Sequence, residues 1–217
     1  MNKKRVLFVS ESHNLASGFG TYAKEVLSRL HATGKYDIAE FASYGSHTSI
    51  GDVPWDYYGN MPDPNNKQQS EHYGSTSLNH FGFWRFTHVV LDFKPDIVIT
   101  YRDPWMDMWI KDNPLRRFFN WIWMPTVDSA PQKREWLETF KSCDAVLAYS
   151  EFGQKTLDKQ SNGAINTIGC ASPAIDPLVH YPFSDKKAHK ESLGIDGDAF
   201  IIGTVMRNQK RKLFIEL

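Results

Sequence analysis

Short apolar runs alternate with amphipathic stretches along most of this chain. Arg5 to Ser10 (RVLFVS) is apolar at nearly every position, the composition of a strand buried on both faces. The next stretch, Gly20 to Leu30, sets Tyr22, Val26, Leu27 and Leu30 on one helical face, and Gly34 suits its stop. Asp37 to Ser43 predicts a second strand. Gly45 to Ser77, rich in Gly, Pro, Asn and Ser, reads mostly as loop, with one strand around Trp55 to Tyr58. Leu78 to Phe93 predicts a helix that Lys94-Pro95-Asp96 ends. The alternation then continues, with strands at Ile97 to Tyr101, Asn120 to Met124, Ala145 to Tyr149 and Ile165 to Ile168. Helices are predicted at Lys133 to Phe140, Gly153 to Lys159 and Asp185 to Leu193.

Strands separated by helices in this way are βαβ units, so the predicted fold class is α/β, a doubly wound, Rossmann-like parallel sheet. A last buried strand is predicted at Phe200 to Val205, followed by a basic loop and a short helical stretch. A lone strand and part of a helix cannot bury their own apolar faces, so this segment reads as the start of a second α/β domain. The expected organisation is a first domain over 1–182, a linker over 183–198, and the opening strand, loop and partial helix of a second domain over 199–217.

Composition narrows the function classes. Lys+Arg and Asp+Glu both number 25, so charge gives no case for a nucleic-acid or membrane partner. Two cysteines, Cys143 and Cys170, beside predicted strands read as thiols of a reducing compartment rather than a disulfide framework. The apolar run near the N-terminus, about five residues, is too short for a signal peptide, and nothing approaches a membrane span. The expected location is cytoplasmic. The seven tryptophans suit core packing first, with some free to line a sugar-binding or ring-binding cleft.

In open parallel sheets, ligands bind beyond the carboxyl ends of the strands. The first such loop carries Gly18-Phe19-Gly20, which with Ala23 and Glu40 satisfies G-x-G-x-x-A, a dinucleotide fingerprint. The intervening ESHNLAS is too long for the tight turn that fingerprint needs. Three readings stay open: a glycine tip reaching phosphates held by another domain, a plain flexible loop, and an NAD(P) site. At the other end of the chain, Arg207 and Lys212 lie between a predicted strand and a helix N-terminus, an arrangement that holds phosphate. A solvated basic turn is the plainer reading. Arg102 and Asp103 follow a strand, where Arg102 either meets an anionic acceptor or pairs with Asp103. His13 in the first loop either touches an acceptor or is solvated. Ser150 suits a helix cap. Trp105 to Ile110 forms an amphipathic patch suited to core packing or to an apolar acceptor. His72, His80 and His88 suggest no third ligand, so no metal site is expected.

Several motifs, in order, resemble the N-terminal half of a GT-B glycosyltransferase of the family 4 (group 1) type. They are the small-residue loop Ser17-Gly18-Phe19-Gly20, Lys94-Pro95-Asp96-Ile97-Val98, and Asp144-Ala145-Val146-Leu147-Ala148-Tyr149-Ser150 with Phe152-Gly153 after it. Pro173-Ala174-Ile175-Asp176 with Tyr181-Pro182, and Ile202-Gly203-Thr204-Val205-Met206-Arg207 with Lys212, complete the series. The resemblance implies transfer of a sugar from a nucleotide-diphosphate donor to an acceptor (a glycan, lipid or small molecule), with retention and no cofactor or metal. It implies donor phosphates at Arg207 and Lys212, helped by Gly18, Phe19 and Gly20, and an acceptor side formed by His13, Arg102 and Asp103. Where the family often has a histidine near the reacting sugar, this chain has Asp128. That carboxylate either accepts a hydrogen bond from a sugar hydroxyl, acts as a base, or is a turn residue with Ser129 and Pro131. The family's acidic motif would lie beyond Leu217, so the 217 residues alone are expected to turn over little or nothing. The rival from another class is a non-catalytic module that binds a nucleotide or a partner protein.

Overall fold

The computed structural model describes residues 3–48, 51–205 and 212, and divides the chain into two units, Met1–Pro173 and Ala174–Leu217. The first unit is built on a seven-stranded, wholly parallel sheet in the order β3-β2-β1-β4-β5-β6-β7. Its strands are β1 (Lys4–Glu11), β2 (Tyr36–Ser43), β3 (Asp56–Gly59), β4 (Ile97–Arg102), β5 (Asn120–Pro125), β6 (Ala145–Ala148) and β7 (Thr167–Cys170). The helices between them are α1 (Gly18–Ala32), α2 (Lys67–Gly74), α3 (Phe86–Phe93), α4 (Pro104–Asp107), α5 (Arg134–Lys141) and α6 (Glu151–Ser161). The chain winds outward from β1 to β3, returns to lay β4 on the other side of β1, and continues to β7. This is the expected doubly wound, Rossmann-like α/β fold, with its switch point between β1 and β4.

Side chains of each strand point alternately to opposite faces. Leu7 and Val9 of β1 join Phe41, Phe86, Val98, Trp121, Trp123, Phe140 and Leu157 in one core, while Phe8 joins Ala23 and Leu27 of α1, Ile38, Tyr101 and Met124 in the other. Burial on both faces explains why β1 reads as an apolar run and β2 as one interrupted only by the buried Glu40 past Asp37. Asp96 pins the start of the sheet, accepting from the Arg5 backbone N–H at 2.9 Å and from Lys4 Nζ at 3.0 Å. Those two contacts hold its carboxyl below the usual carboxylate range.

Three stretches depart from the sequence reading. The helix expected over 78–93 is two pieces, a 3-10 turn (Ser77–Phe81) and α3, broken at Gly82. Gly82 has φ 105°, and a Cβ there would lie 2.4 Å from the Phe41 ring, so the sheet demands both the break and the glycine. Helix α2 falls inside the expected loop; Asn66 caps it by accepting from Gln69 N–H at 3.1 Å, and it buries no residue that would have revealed it. The last strand of the sheet is Thr167–Cys170, two residues later than expected, while Ile165 goes into the core ahead of it.

The second unit holds α7 (Lys186–Ser192), capped by Asp185, whose side chain accepts from Ala188 N–H at 2.9 Å. The buried strand expected at Phe200 to Val205 is a correction. The segment pairs with no strand among the described residues, and Phe200, Ile202 and Val205 are 90%, 88% and 102% exposed. An apolar run becomes a buried strand only against neighbours that supply ladder bonds and cover, and the described residues supply none. Arg207 lies outside the described residues. No helix among the described residues is long and apolar enough to cross a membrane.

Candidate functional site at the switch point

At the carboxyl ends of β1 and β4 the chain makes a dense polar arrangement. The loop after β1 is compact: Ser12 N–H bonds to Ser43 O at 3.0 Å, Leu15 N–H to Ser12 O at 3.0 Å, and Ser17 N–H to Leu15 O at 2.8 Å. Ser17 caps α1, accepting from Gly20 N–H at 3.0 Å while its hydroxyl donates to the Glu11 carboxylate. The helix therefore begins at Gly18 rather than Gly20, and the glycine pair sits in its first turn. A Cβ on Gly20 would lie 2.6 Å from Leu15 O and 2.7 Å from Ser12 O, whereas one on Gly18 meets nothing within 4 Å. Phe19 packs edge-on against Tyr101 with ring centroids 5.3 Å apart. Of the three loop residues named from the sequence, only Gly18 faces open space. Gly20→Ala is expected to lower stability by roughly 1–3 kcal/mol and Gly18→Ala to stay within about 0.5 kcal/mol, a contrast that urea denaturation of the two variants measures.

His13 is not a solvated loop residue. Its Nδ1 lies 2.7 Å from Glu40 Oε2 and its backbone N–H donates to Glu40 Oε1 at 2.8 Å; Trp55 Nε1 donates to the same carboxylate at 3.0 Å. Glu40 is wholly buried in mid-β2 and its oxygens are engaged by these three donors. It is thus not placed to bind a ribose hydroxyl, which, with the helix starting at Gly18, removes the NAD(P) reading.

Arg102, at the end of β4, is fully buried. Its guanidinium pairs with the Asp107 carboxylate on α4 and donates to Ser43 Oγ at the end of β2. The ion pair anticipated with Asp103 is therefore made with Asp107 instead, because the turn of α4 folds that residue back beneath the sheet edge. Burial pushes the Asp107 carboxyl up while Arg102 pulls it back. Asp103 is half-buried, precedes α4, and accepts from Thr126 Oγ1 of the loop after β5. Asp128 stands two residues further along that loop, exposed and without a hydrogen-bond partner among the described residues. Ser150 caps α6 as expected, accepting from Gly153 N–H at 3.0 Å.

Three tyrosines line the same edge. Tyr22 of α1 stacks on Tyr101 at 4.0 Å, and Tyr101 stacks on Tyr149 at 5.6 Å. Burial first, then the neighbouring Tyr149 phenol, drives the Tyr101 hydroxyl well above the ordinary tyrosine range. The structure thus gathers Glu11, His13, Gly18, Arg102 and Asp103 around β1 and β4, with Asp128 on the adjoining β5 loop. Lys212 belongs to the second unit, half-buried. Tyr149 does not stand out as a site residue in the sequence, and Glu40 does so only as the acid of a dinucleotide fingerprint, not as the anchor of His13 and Trp55 that it is.

No family model matches the sequence, and no curated protein resembles it closely enough to count. Among solved structures the fold is similar to sucrose-phosphate synthase from Thermosynechococcus elongatus, with TM-score 0.62 and 16% identity over 90% of this chain and 54% of that one. A UDP-glucose: anthocyanidin 3-O-glucosyltransferase in complex with UDP shows a weaker likeness, TM-score 0.48 and 11% identity over 89% of this chain and 58% of that one. The chain thus spans a little over half the length of either structure. At these identities the likeness establishes the fold and nothing finer.

Proposed function

We propose that this chain is the acceptor-side half of a retaining GT-B glycosyltransferase of the family 4 type, with the opening of its donor-binding half. The observation that carries this reading is the sheet order, with its switch point at β1 and β4, in a unit whose fold is similar to sucrose-phosphate synthase. The ordered motifs of the sequence add to it. In this reading the donor is a nucleotide-diphosphate sugar, the bond from its anomeric carbon to the diphosphate oxygen breaks, a bond to the acceptor hydroxyl oxygen forms, and that hydroxyl's proton passes to the departing diphosphate. Negative charge grows on the departing diphosphate, so cations and backbone N–H groups aimed there stabilise the transition state. Arg207 and Lys212 supply the cations, and Gly18 is the glycine whose surroundings leave room for an approaching phosphate. Exposed Asp128 accepts a hydrogen bond from a hydroxyl of the reacting sugar, Asp103 from the acceptor. His13 and Arg102 act from behind, His13 anchored to Glu40 and Arg102 to Asp107, and shape the acceptor floor.

Isothermal titration with UDP, GDP and ADP and their sugars tests the reading on the 217-residue chain. One nucleotide class should bind selectively, and Arg207→Ala and Lys212→Ala should each weaken it by about tenfold or more, the effect of losing one charge-assisted contact. Binding that ignores both substitutions, or no nucleotide binding at all, counts against the transferase and in favour of a non-catalytic module.

A further inference from the structure

Two large aromatic side chains at this sheet edge face solvent. Trp105 is 48% exposed and Tyr44 is 37% exposed. Each is held edge-on by the same buried ring, Phe81, at 4.9 Å and 89° for Trp105 and at 6.1 Å and 90° for Tyr44. Neither is loose. Pro104, Met106 and Asp107 are all buried, and the Asp107–Arg102 pair clamps α4 to the sheet, which leaves Trp105 as its outward face. Tyr44 directly follows β2 and adopts φ 58°, a left-handed conformation that a side chain with a Cβ takes only against steric resistance. The residue beside it has no room for a side chain: a Cβ on Gly45 would lie 2.2 Å from the Tyr57 hydroxyl and 2.8 Å from Ala42 Cβ. Strain of this kind, at a position that presents a ring to solvent, is expected at ligand sites.

Two carboxylates stand near the rings in sequence and register, each with one oxygen already accepting, Glu11 Oε2 from Ser17 and Asp103 Oδ1 from Thr126, which leaves the second oxygen of each for a ligand. Asp103 lies two residues before Trp105, and Glu11 is opposite Ser43 in the β1–β2 register, one residue from Tyr44. Burial first, then the Glu11 charge, raises the Tyr44 hydroxyl above its ordinary range, and the Arg102 charge opposes them. Rigid aromatic faces bordered by hydrogen-bond acceptors match a ligand that has an apolar C–H face and a rim of hydroxyls. A lipid chain or sterol laid here would strip water from Glu11 and Asp103 and offer them no donor, which is unfavourable. A sugar ring satisfies both.

We propose that the acceptor is itself a sugar, and that its ring packs on the exposed faces of Trp105 and Tyr44 with its hydroxyls donating to Glu11 and Asp103. This rests on the transferase reading for the word acceptor, but the surface is testable alone. Saturation-transfer difference NMR of the chain with the methyl glycosides of glucose, galactose, mannose and N-acetylglucosamine is the experiment. At least one glycoside should be saturated, most strongly at the C–H protons of one ring face. Trp105→Ala and Tyr44→Gly should each weaken its binding by about tenfold or more, and Trp105→Phe should recover part of it. Tyr44→Gly also relieves the backbone, so its thermal midpoint should not fall, separating lost binding from lost fold. The inference is overturned if no glycoside is saturated, if saturation survives in both ring-deleting variants, or if phosphatidylcholine vesicles bind at Trp105 in place of any glycoside. Nucleoside diphosphate binding without glycoside binding sinks this inference and leaves the transferase standing. Glycoside binding at Trp105 without nucleotide binding does the reverse, leaving a sugar-binding surface.

Discussion

Arg102→Met should destabilise the first unit by about 3–5 kcal/mol, because it strands the Asp107 carboxylate without its counter-ion. Both side chains are wholly buried, and the second Asp107 oxygen and the Arg102 Nε have no protein partner among the described residues. The pair is thus held in a setting where desolvation opposes it, and much of what it contributes is avoidance of a lone buried charge. Removing both charges together, in Arg102→Met with Asp107→Leu, should therefore recover most of the loss, the signature of strong coupling between neighbours. Urea denaturation followed by far-ultraviolet dichroism measures the cycle. Single variants each within about 1 kcal/mol of the parent would show that water reaches this pair and that α4 is not clamped.

The Glu40 carboxylate carries the second large effect. Glu40→Ala removes the acceptor for three buried or nearly buried donors at once, namely the His13 backbone, the His13 ring and the Trp55 indole. Each unsatisfied donor carries roughly 1–3 kcal/mol, and since they share one cavity the sum is expected near 3–5 kcal/mol rather than three times the single value. Glu40→Gln should fall between, since its amide nitrogen turns a donor toward one of the donors it must satisfy. Nitrogen-15 shifts of the His13 ring add an independent readout. The parent should show Nδ1 carrying a hydrogen, and the Ala variant should lose that preference. A His13 ring whose shifts ignore both substitutions would mean that the contact to Glu40 does not set its state.

How much of this was legible depended on distance along the chain. β1, β2, β4 and β5 announce themselves because burial on both faces makes them mainly apolar, a local property. Helix α2 has no buried residue and so no period to read. The break at Gly82 was invisible for the opposite reason. The apolar pattern runs straight through it, and only the Phe41 ring, from β2, forces the chain to turn. At the site, Gly18, Gly20, Arg102 and Asp103 drew notice from their types and places at strand ends. Their partners did not, since Arg102 chooses Asp107 over its neighbour Asp103 through a helical turn, and His13 meets Glu40 from 27 residues away. Trp105 and Trp109 share one amphipathic stretch, and nothing in that stretch says that Trp109 packs inward while Trp105 turns out.

The place of β1 in the middle of its sheet has a consequence for birth of the protein on the ribosome. One flank of β1 is covered early, when β2 arrives, but the other waits for β4: Asp96 reaches Arg5 across 91 residues, and Ser10 Oγ donates to Tyr101 O across another 91. Until then the emerging chain carries a long apolar strand with an open hydrogen-bonding margin, the feature most prone to recruit a neighbouring nascent chain. A stalled or prematurely released product that stops before Ile97 would retain that hazard permanently.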